Sequence, residues 1–189
     1  MSRLQPVAGT EIVDGIRLGH LWNEYEVLKK FVQHERPNWF IEIGVHEGGL
    51  SYLLIPEIKS NYLGVEINCE IVTNTAQIIY WKYAGRAELW CGNCFDPELW
   101  DKIAYLPNKL IYCDGGDKVT ELLYFKKACN IGDIIMAHDY HDGIRKIKGM
   151  KEVYPEVLPQ DVEHFDKTFE RLPEEIFKET RIIGWRKNG

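Results

Sequence analysis

Apolar residues fall along this chain in short blocks of two kinds, and the alternation between them is the first guide to its fold. Between 21 and 34, Leu21, Trp22, Tyr25, Val27, Leu28, Phe31 and Val32 recur mostly at helical spacing, and Glu35-Arg36-Pro37-Asn38 ends the run. The spacing predicts an amphipathic lead-in helix. Residues 39–43 then form a compact apolar block that reads as a strand. A short helix is expected over 48–54, checked near Pro56, and a second strand over 62–67. Residues 69–83 read as a helix with Asn68 as its cap, and 87–91 as a third strand. A helix over 96–103, a strand over 109–113, a helix over 119–129 and a fifth strand over 133–137 continue the alternation.

Strands separated by helices of about ten residues define βαβ units, and a crossover of that length returns the chain parallel to its previous strand. The expected fold is therefore α/β: a doubly wound, mostly parallel sheet with helices on both faces. Functional residues of such a sheet gather at the carboxyl ends of its strands. After 143 the alternation stops, with Pro155, Pro159 and Pro173, many charges and a last β-like run, Arg181-Ile182-Ile183-Gly184-Trp185. We read 143–178 as a partly irregular cap and the final run as an antiparallel edge strand; whether 167–172 adds another strand is left open. With no internal repeat and 189 residues, the chain is expected to be a single domain, 1–189, in which 1–37 is a helical lead-in.

Composition narrows the partners. With 45% apolar residues the chain can build a substantial core. A net charge of -6 repels a phosphate backbone, so nucleic acid is not an expected partner. The basic stretch Arg145-Lys146-Ile147-Lys148-Gly149-Met150-Lys151 reads first as a solvated face and second as an anion site. No run approaches the roughly 20 apolar residues of a membrane span, and the first residues lack the apolar core of a signal peptide. A cytoplasmic location is expected, without a membrane partner. Five cysteines, an odd number, suit reduced thiols better than a disulfide framework. The spacing Cys91-Gly92-Asn93-Cys94 reads as two cysteines packed beside a strand end, since no second such pair completes a zinc site.

The segment Phe40-Ile41-Glu42-Ile43-Gly44-Val45-His46-Glu47-Gly48-Gly49 carries the most chemistry. An apolar strand runs through an acid into a glycine-punctuated turn that opens a helix, where free amides favour an anionic group. The next strand, Tyr62-Leu63-Gly64-Val65-Glu66, ends in an acid about 20 residues on, the distance at which a carboxylate accepts from ribose hydroxyls. Further strand ends supply Gly92-Asn93, Asp114-Gly115-Gly116-Asp117-Lys118 and His138-Asp139-Tyr140-His141-Asp142. A crowded polar rim thus borders an apolar sheet.

Across roughly residues 20 to 140 these motifs resemble the class I S-adenosylmethionine-dependent methyltransferases, most closely the small-molecule O-methyltransferases of methyltransferase family 24 and the cephalosporin-hydroxylase-type branch. The segments Leu110-Ile111-Tyr112-Cys113-Asp114-Gly115-Gly116 and Gly132-Asp133-Ile134-Ile135-Met136-Ala137-His138-Asp139-Tyr140 carry most of it. The resemblance implies the Rossmann-like class I methyltransferase fold and S-adenosylmethionine as cofactor. It implies that Gly44, Val45, His46 and Gly48 wrap the methionine half with Glu42 near its amino group. Glu66 would take the ribose hydroxyls and Ile67 lie along the adenine. Asn93, in place of the family's usual acid, would accept from the adenine amino group beside Cys94. Asp114 would face the reacting methyl.

Methyl transfer from a sulfonium to a hydroxyl is an in-line displacement, so positioning and control of one proton are the protein's tasks. The resemblance implies a small-molecule hydroxyl acceptor, such as a sugar or natural product, beside the 143–178 cap, with an amine acceptor left open. Metal-dependent relatives hold a divalent ion with acids at the positions of Asp114 and Asp139, which would suit magnesium, although Tyr140 stands where a third ligand is usual. Asp117 occupies the place of the relatives' base, which moves the expected proton acceptor to His141. Because of these departures, a non-methylating protein that binds S-adenosylmethionine (a sensor, a partner subunit or a cofactor-cleaving enzyme) stands as the alternative. A nicotinamide dehydrogenase fits less well, because His46 fills the second glycine position of its turn. The exposed final strand leaves a homodimer open.

Overall fold

The structure is a computed structural model that describes residues 5–7, 10–143, 156–163, 165 and 167–189. Ahead of the lead-in helix the chain forms a small antiparallel sheet of β1 (Gln5–Val7), β2 (Thr10–Val13) and β3 (Ile16–Arg17). Asp14 and Gly15 both take positive φ, 51° and 84°, which is the tight hairpin geometry that an Asp-Gly pair favours. Residues 1–37 are therefore not simply a helical lead-in. Helix α1 (Trp22–Glu35) follows, and Glu24 in its first turn accepts from the Leu21 amide at 2.9 Å.

Five parallel strands make the centre of the main sheet: β4 (Trp39–Ile43), β5 (Asn61–Glu66), β6 (Ala87–Cys91), β7 (Lys109–Cys113) and β8 (Ile134–Ala137). Side chains alternate across it. Phe40, Tyr62, Leu110 and Tyr112 pack towards α1 and α2 (Gly49–Glu57), while Ile41, Ile43, Leu63, Val65 and Ile111 pack towards α4 (Pro97–Tyr105) and α5 (Lys118–Phe125). Burial on both faces explains why these strands read as continuous apolar runs rather than alternating ones. Pro56 is accommodated in the last turn of α2, so that helix runs past the proline expected to check it.

The helix expected over 69–83 is divided into a 3-10 turn, Cys69–Ile71, and α3 (Asn74–Lys82). Thr73 caps the second part by accepting from the Ala76 amide at 3.3 Å. Beyond β8, the chain contributes α6 (Pro159–Val162), β9 (Phe169–Arg171), α7 (Glu174–Phe177) and β10 (Ile183–Lys187). The full sheet order is β6-β5-β4-β7-β8-β10-β9. The final run is antiparallel to β8, as expected, and β9 pairs antiparallel with its other side. The open question over 167–172 thus resolves as a strand, and β9 rather than β10 is the outer edge. The basic stretch 145–151 and much of the 143–178 cap lie outside the described residues.

Parallel connections run outward from β4 through β5 to β6, then cross back to β7 and β8. The order reverses between β4 and β7, and a crevice at the carboxyl ends is expected at such a point. Among the described residues, no helix is long and apolar enough to cross a membrane.

Candidate functional site

Gly44 ends β4 where the order reverses, with φ of 90°, and a Cβ there would stand 2.6 Å from the Asp114 carbonyl oxygen. Gly48, at φ 88°, would bring a Cβ to 2.4 Å from the Ala76 methyl. Both glycines are therefore required by the protein's own packing as well as by positive φ. His46 adopts φ 53° without being glycine, and its amide donates to Glu66 Oε2 at 2.8 Å. Glu66 Oε1 accepts from the Asn68 amide at 3.0 Å, so one carboxylate ties the two strand-end turns together. A carboxylate offers about four acceptor positions, and these bonds use two.

Gly44 lies in the walls of two clefts. One, of about 270 Å³, is lined by Glu66, Ile67, Gly92, Asn93, Cys94, Phe95, Gly115, Gly116, Asp117 and Glu121, among others. Ile67 is 74% exposed there, an apolar side chain with no protein cover. Asn93 accepts from the Phe95 amide at 3.0 Å, which fixes its side chain in a local turn. Cys94 is half-buried, and burial pushes its thiol up to about 11.

The second cleft, of about 220 Å³, is lined by Arg17, Leu18, Gly19, His20, Glu42, Gly44, Val45, His46, Asp114, His138 and Asp139. A larger cleft of about 780 Å³ sits among Arg36, Trp39, Glu57, Asn61 and Pro107, at the amino ends of the strands and away from this rim.

A charge network underlies the second cleft. Asp114 receives His138 Nδ1 at 3.0 Å and His20 Nε2 at 3.1 Å. Although burial opposes its charge, these two imidazoles hold Asp114 well below the usual carboxylate range. His138 also meets Glu24 through Nε2 at 3.2 Å. Burial works against an imidazolium there, yet Asp114 and Glu24 raise His138 to about 10. Glu24 in turn bonds Arg181, whose Nη1 reaches Asp139 Oδ1 at 2.5 Å. Lys118 Nζ lies 3.2 Å from Asp139, 3.8 Å from Asp114 and 2.6 Å from Glu156. These carboxylates outweigh its burial and keep the ammonium protonated.

Other expected positions have different surroundings. Glu42 is fully buried and accepts at Oε2 from Ser51 at 2.7 Å and Tyr62 at 2.6 Å. Burial raises it to about 8, so it is a neutral acid at neutral pH. Asp117 caps α5 through the Thr120 amide and hydroxyl. His141 accepts from the Gly143 amide at Nδ1, at 3.0 Å, and is not among the residues lining either cleft. Tyr140 packs in the core with Arg171 donating to its hydroxyl, and Phe165 stacks on Trp185 at 4.2 Å. These aromatic residues belong to the packing of the sheet's second face.

One expectation is overturned. Cys69 and Cys91 form a disulfide with a Cα separation of 5.6 Å. The adjacent parallel strands β5 and β6 end level with each other, Glu66 beside Cys91, and the turn after Glu66 carries Cys69 across to its partner. Cys91 thus pairs with Cys69 rather than packing beside Cys94, while Cys94, Cys113 and Cys129 are free thiols.

Asp114, Asp139, Glu42, Gly44, Val45 and His46 share the second cleft, and Glu66, Ile67, Asn93 and Cys94 share the first. His20, Glu24, Lys118 and Arg181 join them without having been singled out in the sequence. Lys118 stood one residue from the position considered; Glu24 and Arg181 are 157 positions apart, which no local pattern signals.

No protein-family model matches the chain, and no curated protein is significantly similar to it in sequence. Solved structures are similar in fold. A putative O-methyltransferase from Klebsiella pneumoniae superposes with a TM-score of 0.60 at 15% identity, over 89% of this chain and 81% of that one. The O-methyltransferase TomG from Streptomyces achromogenes, in complex with S-adenosylmethionine, gives 0.61 at 12% identity, over 91% and 82%. An O-methyltransferase from Bacillus cereus, in complex with S-adenosylhomocysteine, gives 0.59 at 17%, over 88% and 82%. The chain has the class I methyltransferase fold of these O-methyltransferases.

Proposed function

We propose that the protein is an S-adenosylmethionine-dependent methyltransferase acting on a hydroxyl of a small molecule. The observation that carries this reading is the pair of clefts meeting at Gly44, one with an uncovered apolar wall and a ribose-competent acid, the other with a buried charge network. In this reading the adenosine lies against Ile67, between Glu66 and Asn93, and its methionine end crosses Gly44 towards Asp114. The bound cofactor supplies an electrophilic methyl on a sulfonium. Asp114, held as a carboxylate by the imidazoles beside it, and Asp139, paired with Arg181 and Lys118, orient the acceptor hydroxyl and stabilise positive charge near the methyl. That TomG was solved in complex with S-adenosylmethionine and the Bacillus cereus protein with S-adenosylhomocysteine supports this reading.

Magnesium does not fit the donor set. A hard ion wants several free oxygens, whereas Asp139 is engaged by Arg181 and Lys118, and Asp114 by two imidazoles. No step is assigned to it.

The alternative, cofactor binding without methylation, draws support from the same network. Among the described groups in and under the acceptor cleft, Lys118 and His138 are both held protonated, so neither is a ready base at neutral pH. His141 would have to release the Gly143 amide to accept a proton at Nδ1.

Calorimetric titration with S-adenosylmethionine and S-adenosylhomocysteine tests the cofactor assignment. Binding of micromolar class, about -8 kcal/mol, is expected. Ile67→Asp, at an exposed position, should weaken it at least tenfold while leaving the melting temperature unchanged. Absence of binding to folded wild-type protein overturns the assignment. Methyl transfer to any hydroxyl compound then separates the enzyme from the non-methylating alternative.

A further inference from the structure

We infer that a second copy of this chain docks along the β6 edge of the main sheet, with its β6 antiparallel to this one and its α3 beside this α3. The final strand is not the one that pairs, because β10 lies inside the sheet between β8 and β9. The two edges are β6 and β9. β9 is three residues long and carries Glu170 and Arg171, and shortness and charge both blunt an edge.

β6 has five residues and an open outer side. The Arg86 carbonyl accepts from the Tyr62 amide and the Gly92 amide donates to Glu66, so the even-numbered positions of β6 face β5. Ala87, Leu89 and Cys91 therefore turn their backbone groups outward. The Ala87 amide donates to the Tyr83 carbonyl at 2.7 Å, but among the described residues nothing bonds the other outward groups. A two-fold axis at Leu89 supplies what they lack. The two Leu89 residues exchange both hydrogen bonds, and each Cys91 amide donates to the Ala87 carbonyl of the other copy. The same register sets Glu88 opposite Trp90, so no like charges meet across the strands.

The helix beside this edge fits the same partner. Ile79 shares a cleft with Leu53 and Pro56 of α2. Trp81, two residues on and about 200° round a helix of 3.6 residues per turn, faces the other side, where the sheet ends at β6. Trp81 is 81% exposed and Ile78 57%. Asn74, Ile78 and Trp81 recur at the i, i+4, i+7 spacing of a helix seam. Charged residues make up 28% of the chain, yet α3 contains no acid and its only charge is Lys82 at its end. Depletion of charge around exposed aromatic and aliphatic side chains is the composition of an interface core. The seam is also self-complementary. The axis that pairs β6 with itself lays α3 antiparallel to its copy, so the Lys82 end of one helix meets the Glu70 end of the other.

Sedimentation equilibrium and hydrogen exchange of the full chain test this surface. Wild-type protein should shift between the 22.1 kDa chain and twice that mass, with a dissociation constant in the micromolar range or below. The Leu89 and Cys91 amides should exchange at least tenfold faster once the protein is diluted below that constant. Trp81→Glu, at an exposed position, should raise the constant at least 100-fold. Lys82→Glu should raise it roughly tenfold, and adding Glu70→Lys should restore it. A wild-type monomer at about 100 µM overturns the docking surface, as does a dimer in which Leu89 exchanges as fast as in the monomer. A charge swap that fails to restore the dimer overturns the antiparallel arrangement of α3. The mass and exchange measurements need no variant, so misfolding of a substituted chain leaves the inference testable.

Discussion

The guanidinium of Arg181 meets the carboxylate of Glu24 through two hydrogen bonds, Nε to Oε1 at 3.0 Å and Nη2 to Oε2 at 2.9 Å, and the Arg181 amide adds a third at 2.9 Å. This ties the first turn of α1 to the segment before β10. Glu24 is fully buried and Arg181 nearly so. Such a pair is costly to desolvate, and its geometry matters more than its net contribution.

Breaking only one side should therefore be severe. Arg181→Met leaves the Glu24 carboxylate buried with His138 as its remaining cationic contact, and a loss of about 3 to 5 kcal/mol is expected. Combining it with Glu24→Met should recover a large part of that loss. A urea double-mutant cycle measures this; equal losses in the single and double variants would show that packing, not charge, dominates.

The Glu42 carboxyl gives a pH dependence with a definite sign. The folded chain holds its proton up to about 8, whereas 4.5 is the ordinary value. The folded state therefore binds more protons between these limits. Its contribution to stability is complete below 4.5 and is lost as pH rises through 8. Between about pH 6 and about pH 9.5, wild-type protein should lose roughly 5 to 10 °C of melting temperature more than Glu42→Gln. Parallel curves for the two proteins would place the ionised form of Glu42 in the folded state already at neutral pH.

How far the sequence reveals this arrangement depends on how local each interaction is. The strands around Phe40, Leu63, Ile111 and Ile135 are legible because burial on both faces leaves unbroken apolar runs. The strand-end residues of both clefts follow from those strands, since a parallel sheet brings its carboxyl ends together. Asp14-Gly15 is a local hairpin signal, but its flanking strands, Thr10–Val13 and Ile16–Arg17, are too short to stand out as apolar runs. Tertiary pairings are a different matter. Cys69 finds Cys91 because β6 lies beside β5, and His20 reaches Asp114 because the segment after β3 packs against Gly49 at the start of α2; neither follows from spacing.

The Cys69–Cys91 disulfide closes a loop of 22 residues and joins the turns that carry Ile67 and Asn93. Loop closure of that length contributes about 3 kcal/mol. Replacing both cysteines by alanine, or treating the protein with a phosphine reductant, should lower the melting temperature by roughly 10 °C. It should also weaken any ligand of the first cleft, because one wall is then anchored by hydrogen bonds alone. Unchanged melting after verified reduction would mean that the β5 and β6 ends are held by the sheet without help from the bond.

Lys118 offers a local test of how the tail is held to the sheet. Its ammonium is buried against Asp139 and Glu156 and also donates to the Gly115 carbonyl at 2.9 Å, so it joins α5 to the returning tail. The amides of Glu156 and Val157 both donate to the Asp139 carbonyl, at 3.0 and 3.1 Å. In Lys118→Met the carboxylates at this junction lose a shared cation, and their repulsion acts on those two bonds. Hydrogen exchange at Val157 should accelerate by at least an order of magnitude, as expected for a loss of about 1.4 kcal/mol in local opening. Exchange in β5 should stay as in wild-type protein, because no residue of that strand touches the ammonium. Acceleration spread evenly over the sheet would instead make Lys118 part of the global core rather than a local clasp.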